Sequence, residues 1–281
     1  MGADKIKSYA KLNLALNVIG KNSSLHKIET IIVFVSLHDE ILIEKINSNK
    51  HKISFTGKFS RNIGKNNTVS KLLNILDEKK LLNNKKFKLR IKKKIPSKAG
   101  LGGGSMNASN ILNYFLKKNI IKISKKEAIK ISKLVGSDVL LGLNPTSSIL
   151  SGNNEIKRFY NCKKFYSLIV KPHFGCSTRE IYSKVKKFNK PKFNNPNLKM
   201  FNFNYLKKMD NSLEPIALSK YSKLRKIKSF LETLSKPSFV RMTGSGSALV
   251  AYFQSKYRCE IAKKMFHKKY KNYWCILSKT I

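Results

Sequence analysis

The sequence is poor in acid. Only 15 Asp and Glu stand against 58 Lys and Arg in 281 residues, a formal charge of +43. Such a balance ordinarily points to nucleic acid or another polyanion. Here the lysines run from one end of the chain to the other, and residues 184–204 are the one stretch where basic and aromatic residues interleave. A charge this diffuse attracts small polyanionic molecules without defining a nucleic-acid surface. No specific nucleic acid is therefore expected as a partner.

Cysteine is scarce as well. Cys162, Cys176, Cys259 and Cys275 include no close pair with metal-ligand spacing, so they read as reduced thiols of a cytosolic protein. The five histidines, His26, His38, His51, His173 and His267, are equally scattered, and no metal centre built from protein ligands is expected. Long apolar runs are missing too. Nothing approaches the ~18 residues of a membrane span, and Asn13 and Asn17 interrupt the run behind Lys5 and Lys7, which makes a poor signal peptide. The expected location is the cytoplasm, away from membranes.

What remains is an ordinary globular composition, 41% hydrophobic and 10% aromatic. The length suits two domains with a core each, expected at residues 1–158 and 159–281. The second carries its own small glycine turn.

Glycine is sparse at 14 residues, yet four of them, Gly100, Gly102, Gly103 and Gly104, fall within five positions. Before them Phe87, Leu89 and Ile91 alternate with Lys88, Arg90 and Lys92, the period of a half-buried strand, which Pro96 ends by withholding a donor. After them Ile111, Leu112, Phe115 and Leu116 recur at helical spacing, with Ser105 expected as the N-cap. Glycines between a strand and a helix let backbone N–H groups reach an anion, and a helix N-terminus favours phosphate. The absence of Gly-Lys-Ser/Thr excludes a P-loop, and Ser105 stands where a dinucleotide fingerprint needs glycine.

Elsewhere Leu12, Leu14, Leu16 and Val18 alternate along a strand that ends near Gly20 and places Lys11 and Asn13 on one face. Two strands are expected at 31–37 and 40–46, separated at His38-Asp39. Helices are expected at 66–79 and 125–134, the latter ending at Gly136-Ser137-Asp138, where an aspartate alone is usually a turn residue. A buried strand is expected at 165–170. Residues 184–204, rich in Lys and Asn with Pro191 and Pro196, read as the least ordered part. Helices at 204–218 and 220–234, strands at 239–242 and 248–253, then a helix and a strand at 273–277 complete the chain. The pattern is α+β, not alternating βαβ.

Three motifs in order carry a resemblance to the GHMP kinases over almost the whole chain. They are Ala10-Lys11-Leu12-Asn13-Leu14 with His26 following; Gly100-Leu101-Gly102-Gly103-Gly104-Ser105 with Gly136-Ser137-Asp138-Val139 downstream; and Arg241-Met242-Thr243-Gly244-Ser245-Gly246. Weaker echoes lie between them: Lys171-Pro172, Ser177-Thr178-Arg179-Glu180-Ile181-Tyr182 and Asn211-Ser212-Leu213-Glu214-Pro215. The set is similar to members that phosphorylate a cytidine-diphosphate-linked methylerythritol in the non-mevalonate route to isoprenoids.

The resemblance implies an α+β, two-domain GHMP kinase fold, with an N-terminal ribosomal-S5-domain-2-like domain and a C-terminal ferredoxin-like domain. It implies ATP, with Mg2+ bound alongside, held by Pro96, Ala99, Gly100, Leu101, Gly102, Gly103, Gly104, Ser105 and Asn107. By family correspondence Asp138 accepts the proton of the acceptor hydroxyl, and Lys11 beside it keeps the carboxylate ionised and the attacking oxygen positioned. Asn13, His26, Tyr182, Gly244, Ser245 and Gly246 fall to the acceptor, with Tyr182 stacking on the base. The expected partners are these two small molecules, with the chain a monomer or homodimer.

The chain departs from the family pattern at Leu25, where tyrosine is usual, at Ser23-Ser24, where Asp-Gly is usual, and at Met106, where a second serine is usual. A GHMP kinase acting on another small alcohol is the alternative, with no reason to carry His26 and Tyr182. A basic nucleic-acid-binding protein is the distant one.

Overall fold

A computed structural model describes residues 2–22, 25–61 and 63–281. The apolar alternation at the start extends into an 18-residue strand, β1 (Asp4–Lys21), paired with the 21-residue β2 (His26–Ile46). The expected break at His38-Asp39 does not occur. Asp39 is fully buried within β2, and its carboxylate accepts hydrogen bonds from the amides of Lys94 at 2.7 Å and Ile95 at 2.9 Å while pairing with the buried Lys93 ammonium. An aspartate satisfied in this way loses its reason to turn the chain.

Two compact units take turns along the sequence. One comprises Met1–Ala10, Leu37–Ser97 and Gly102–Pro145; the other comprises Lys11–Ser36, Lys98–Leu101 and Thr146–Ile281. In the first, β3 (Lys52–Thr56) leads to helix α1 (Thr68–Glu78) and β4 (Lys86–Lys92). β4 lies antiparallel to the C-terminal half of β2 and parallel to β3. The Asn67 side chain caps α1 by accepting from Val69 and Ser70, and Ser70 Oγ accepts from the Asn67 amide in return. Val69, Leu72, Leu73 and Leu76 of α1 meet Phe87, Leu89 and Ile91 of β4 in one core.

To that core α2 (Gly103–Lys117) adds Ile111, Leu112 and Phe115, and α3 (Lys125–Val135) adds Ile131 and Val135. Each such side chain contributes about 1.5–3 kcal/mol on burial. Asp138 then opens the single turn α4 (Val139–Gly142). The expected cap of α2 is corrected: Gly102, with φ 71°, is the N-cap, and Ser105 lies inside the first turn. Only glycine adopts that φ at no steric cost, so the helix begins where the last left-handed residue ends.

In the second unit β5 (Ser147–Leu150) pairs with the N-terminal half of β2, and β6 (Ile156–Phe159) pairs with β5. A separate antiparallel sheet in the order β10-β7-β9-β8 is built from β7 (Tyr166–Lys171), β8 (Phe239–Met242), β9 (Leu249–Phe253) and β10 (Trp274–Lys279). Its helices are α5 (Thr178–Ser183), α6 (Phe203–Lys207), α7 (Glu214–Lys220), α8 (Ser222–Thr233) and α9 (Lys256–Lys269). Leu168, Val170, Val240, Leu249 and Ala251 pack with Leu224, Ile227, Leu231 and Phe266.

Two expectations change here. The helix expected at 204–218 is broken into α6 and α7 because residues 210–212 pair with β1: the Leu16 amide donates to Asp210 O at 3.0 Å and the Ser212 amide to Leu16 O at 2.9 Å. The stretch expected as least ordered has neither helix nor strand at 184–197 but is tied down. Asn189 donates its amide to Val18 O at 2.9 Å, and the buried Glu29 carboxylate accepts the amides of Lys192 at 2.6 Å and Phe193 at 3.0 Å. Among the described residues no helix is long and apolar enough to cross a membrane, and no disulfide forms among the cysteines.

Candidate active site

The period of β1 puts Lys11 and Asn13 on one face, and both are buried, Lys11 to 4% exposure. The Lys11 ammonium donates to Asn13 Oδ1 at 2.7 Å, and Asn13 Nδ2 donates to Thr30 Oγ1 at 2.9 Å, which itself donates to Ala15 O at 2.6 Å. The orientation of the lysine is thus set by an amide whose own orientation is set by a hydroxyl on the neighbouring strand. A cation held in a water-poor site is a stronger electrostatic partner for a developing negative charge than a surface lysine.

The same unit brings the third motif to this spot. Asn13 donates its backbone amide to Thr243 Oγ1 at 3.0 Å, and that hydroxyl lies 3.2 Å from Gly100 O. The turn after Thr243 is held by Asn211, whose Nδ2 donates to Met242 O at 2.7 Å and Gly244 O at 2.8 Å. Ser245 Oγ is 2.9 Å from Thr178 Oγ1. Gly244 and Gly246 both have positive φ. The Arg241 guanidinium donates to three carbonyls, Leu14, Leu206 and Met209, fixing β8 against β1.

The first half of the glycine loop belongs to this unit. Leu101 O accepts the Lys11 amide at 3.1 Å, Ala99 O accepts the Ala248 amide at 3.2 Å, and Gly100 has φ 73°. A Cβ on Gly100 would stand 1.9 Å from Thr243 O, so only glycine fits there.

The second half of the loop begins the other unit. The amides of Gly103, Gly104 and Ser105 precede the first intrahelical bond of α2, from Met106 N–H to Gly102 O at 2.9 Å, and no side chain caps them. Donors left over at a helix N-terminus, beside residues with positive φ, fit a phosphate group. The approach is set by Asp39, which clamps residues 93–95, and by Ile95, whose Cγ2 lies 2.9 Å from where a Cβ of Gly103 would be. Asn107 is buried with Oδ1 unpartnered. Met106 faces the α4 side, its Sδ 2.8 Å from the Cβ position of Gly142, and offers no oxygen to a ligand. Asp138 is half-buried at the start of α4.

The family model of the GHMP kinases N terminal domain matches residues 67–152. Over all 281 residues the chain is 57% identical to a 4-diphosphocytidyl-2-C-methyl-D-erythritol kinase from Pelagibacter ubique, with both chains covered completely. The chain belongs to the 4-diphosphocytidyl-2-C-methyl-D-erythritol kinases. A kinase of that name from Clostridium perfringens is 31% identical over 99% of this chain and 98% of its own. Among solved structures, a 4-(cytidine 5'-diphospho)-2C-methyl-D-erythritol kinase aligns with a TM-score of 0.78 at 20% identity, covering 99% of this chain and all of that one. The homoserine kinase of Cytophaga hutchinsonii aligns at 0.74 and 14% identity, covering 100% of this chain and 95% of that one. These two likenesses bear on the fold, which is the expected α+β fold of GHMP kinases.

As a kinase of this family the protein transfers a phosphoryl group from ATP to an alcohol on a small molecule. His26, at the start of β2, has its ring 5.0 Å from that of Tyr182 on α5, and burial, with Lys21 second, pushes its pKa down. Leu25 is 68% exposed beside it, and Ser23 and Ser24 lie outside the described residues. Lys11, Asn13, Gly100, Gly244, Ser245, Gly246, His26 and Tyr182 all fall in the second unit, and Gly102–Asn107 with Asp138 in the first. Thr243 and Asn211 stand within the quoted motifs, but their roles, like that of Thr30, are not legible in the sequence, because a hydroxyl or amide that orients a neighbour carries no spacing signal. The break expected at His38-Asp39 is absent because the carboxylate finds its partners in residues 93–95, far along the chain.

Proposed function

We propose that the protein phosphorylates the 2-hydroxyl of 4-diphosphocytidyl-2-C-methyl-D-erythritol, in the route to isoprenoid precursors that does not pass through mevalonate. What supports this reading is the full-length identity of 57% to a kinase of that name, together with the buried Lys11 held at 2.7 Å by Asn13.

ATP would be held at the glycine loop, with the amides of Gly103, Gly104 and Ser105 on phosphate oxygens and Pro96, Ala99, Leu101 and Asn107 shaping the approach. ATP supplies the phosphoryl group, and Mg2+ accompanies its phosphates. Among the described residues no cluster of three or more His, Cys, Asp or Glu offers a metal site of its own. Asp138 takes the hydroxyl proton as general base, and Lys11 stabilises negative charge on the acceptor oxygen. Asn13 aligns Lys11. His26, kept neutral by its lowered pKa, offers hydrogen bonds to the cytosine edge, Tyr182 stacks on the base, and the turn Gly244-Ser245-Gly246, closed by the Gly246 amide on Thr243 O, borders the acceptor. The test is incubation of the purified chain with ATP, Mg2+ and the cytidine-linked acceptor. A monophosphorylated product supports the reading, and no product with this acceptor but turnover of another alcohol overturns it.

A further inference from the structure

Phe188 sits in a stretch of Lys and Asn with no helix or strand, where an aromatic ring has no repeat to assign it to a core. The stretch is held on both sides of it. Asn189 donates its amide to Val18 O at 2.9 Å, and its side chain donates to Asn17 Oδ1 at 2.6 Å and Ser212 Oγ at 2.9 Å. Glu29, three residues along β2 from His26, takes the amides of Lys192 and Phe193. Phe193 is buried, as a phenylalanine on an anchored segment normally is. Phe188 is 48% exposed, and its ring lies 6.4 Å from that of His26 at an interplanar angle of 58°.

His26 is in turn 5.0 Å from Tyr182 at 41°. Three rings from β2, α5 and the tethered stretch therefore meet at one place, and neither of these pairs is stacked face to face. In neither pair does one ring lie flat over the other, and with Phe188 half exposed a planar ligand has aromatic surface to lie on. The flanking Lys187 and Asn189 line a cavity of about 920 Å³ that Phe188 does not line, and the Phe188 ring lies instead against His26.

We propose that Phe188 is a specificity-determining residue: it forms an aromatic wall against the nucleobase of the acceptor, beside His26 and Tyr182. The proposal rests on the cytidine-linked acceptor of the preceding section. Leu25, beside His26, offers only aliphatic surface, so Phe188 adds a second phenyl-type ring to the one Tyr182 provides. Stacking on a base is tolerant of geometry and needs no hydrogen bond from the ring.

The test uses the full chain with F188A and F188W, measured with saturating ATP and varied acceptor. F188A is expected to raise KM for the acceptor about 5- to 100-fold, with kcat and KM for ATP within about two-fold and the melting temperature within about 2 °C of wild type, as for a surface substitution. F188W is expected to restore KM, and its fluorescence to be quenched by cytidine diphosphate but not by inorganic diphosphate. An active wild type with an unchanged F188A KM overturns the proposal alone. A F188A variant that loses thermal stability and raises both KM values together also overturns it, by showing a purely structural ring. A wild type inactive on the cytidine-linked acceptor overturns the acceptor reading, and this proposal with it.

Discussion

The backbone amide of Asn13 donates to the side-chain hydroxyl of Thr243 at 3.0 Å, across 230 positions of sequence. Through this bond the strand that carries Lys11 and the glycine turn near the end of the chain become one rigid piece. Thr243 also reaches Gly100 O at 3.2 Å, so one buried hydroxyl touches all three motifs.

Thr243→Val keeps the shape and removes the acceptor. The buried Asn13 amide is then unsatisfied, at a cost of about 1–3 kcal/mol. The expected result is a urea midpoint lowered accordingly and a reduced kcat as Lys11 loosens, with Thr243→Ser close to wild type in both. An unchanged midpoint in the valine variant would show that the amide has another partner.

Asp138→Asn is expected to lower kcat by about 10²-fold or more with little effect on either KM, the size typical of a lost general base. In the proposed mechanism Lys11→Met affects the same step, so the double variant is expected to be no worse than about the poorer single. Single-turnover rates at saturating substrates decide this. Fully additive losses would assign the two residues to separate steps.

Gly104 is the sharper probe of the phosphate cradle. A Cβ on Gly103 would press on Ile95 at 2.9 Å, so any substitution there disturbs packing, whereas a Cβ on Gly104 meets only the Thr68 hydroxyl at 3.1 Å. Gly104→Val is expected to raise KM for ATP about tenfold or more, as the side chain holds phosphate off the amides, with KM for the acceptor unchanged. Wild-type ATP affinity in this variant would place the nucleotide elsewhere.

The depressed pKa of His26 sets a direction for the pH dependence. Burial disfavours the imidazolium and Lys21 repels it, so the folded protein holds this ring neutral below the ordinary value of about 6.5. KM for the acceptor should be flat from about pH 8 to about pH 6.5 and rise only below, and His26→Gln should remove that acid limb. A break at or above pH 7 would contradict the neutral assignment.

Much of the fold was legible because it repeats. The alternation of Phe87, Leu89 and Ile91 and the spacing of Val69, Leu72, Leu73 and Leu76 each encode an element in neighbouring residues. The glycine loop was legible because few other sequences tolerate such a run between a strand and a helix. The cap at Ser105 was misplaced because a left-handed glycine, here Gly102, can start a helix without any side chain. The uninterrupted β2 and the break between α6 and α7 were misread because both depend on distant partners, Asp39 on residues 93–95 and residues 210–212 on Leu16.

By itself, then, the sequence determined the α+β class, the glycine loop between strand and helix and the motifs that mark a GHMP kinase, since each rests on residue types at short, ordered spacing. Only the tertiary structure decided that Lys11 is buried and aligned by Asn13, that Thr243 joins the first and last motifs, and that Phe188 stands beside His26 on an anchored stretch. The last two come from a hydrogen bond and a ring contact between residues far apart in the chain, and the burial of Lys11 comes from the packing around β1; none of these leaves a periodicity in the sequence to read.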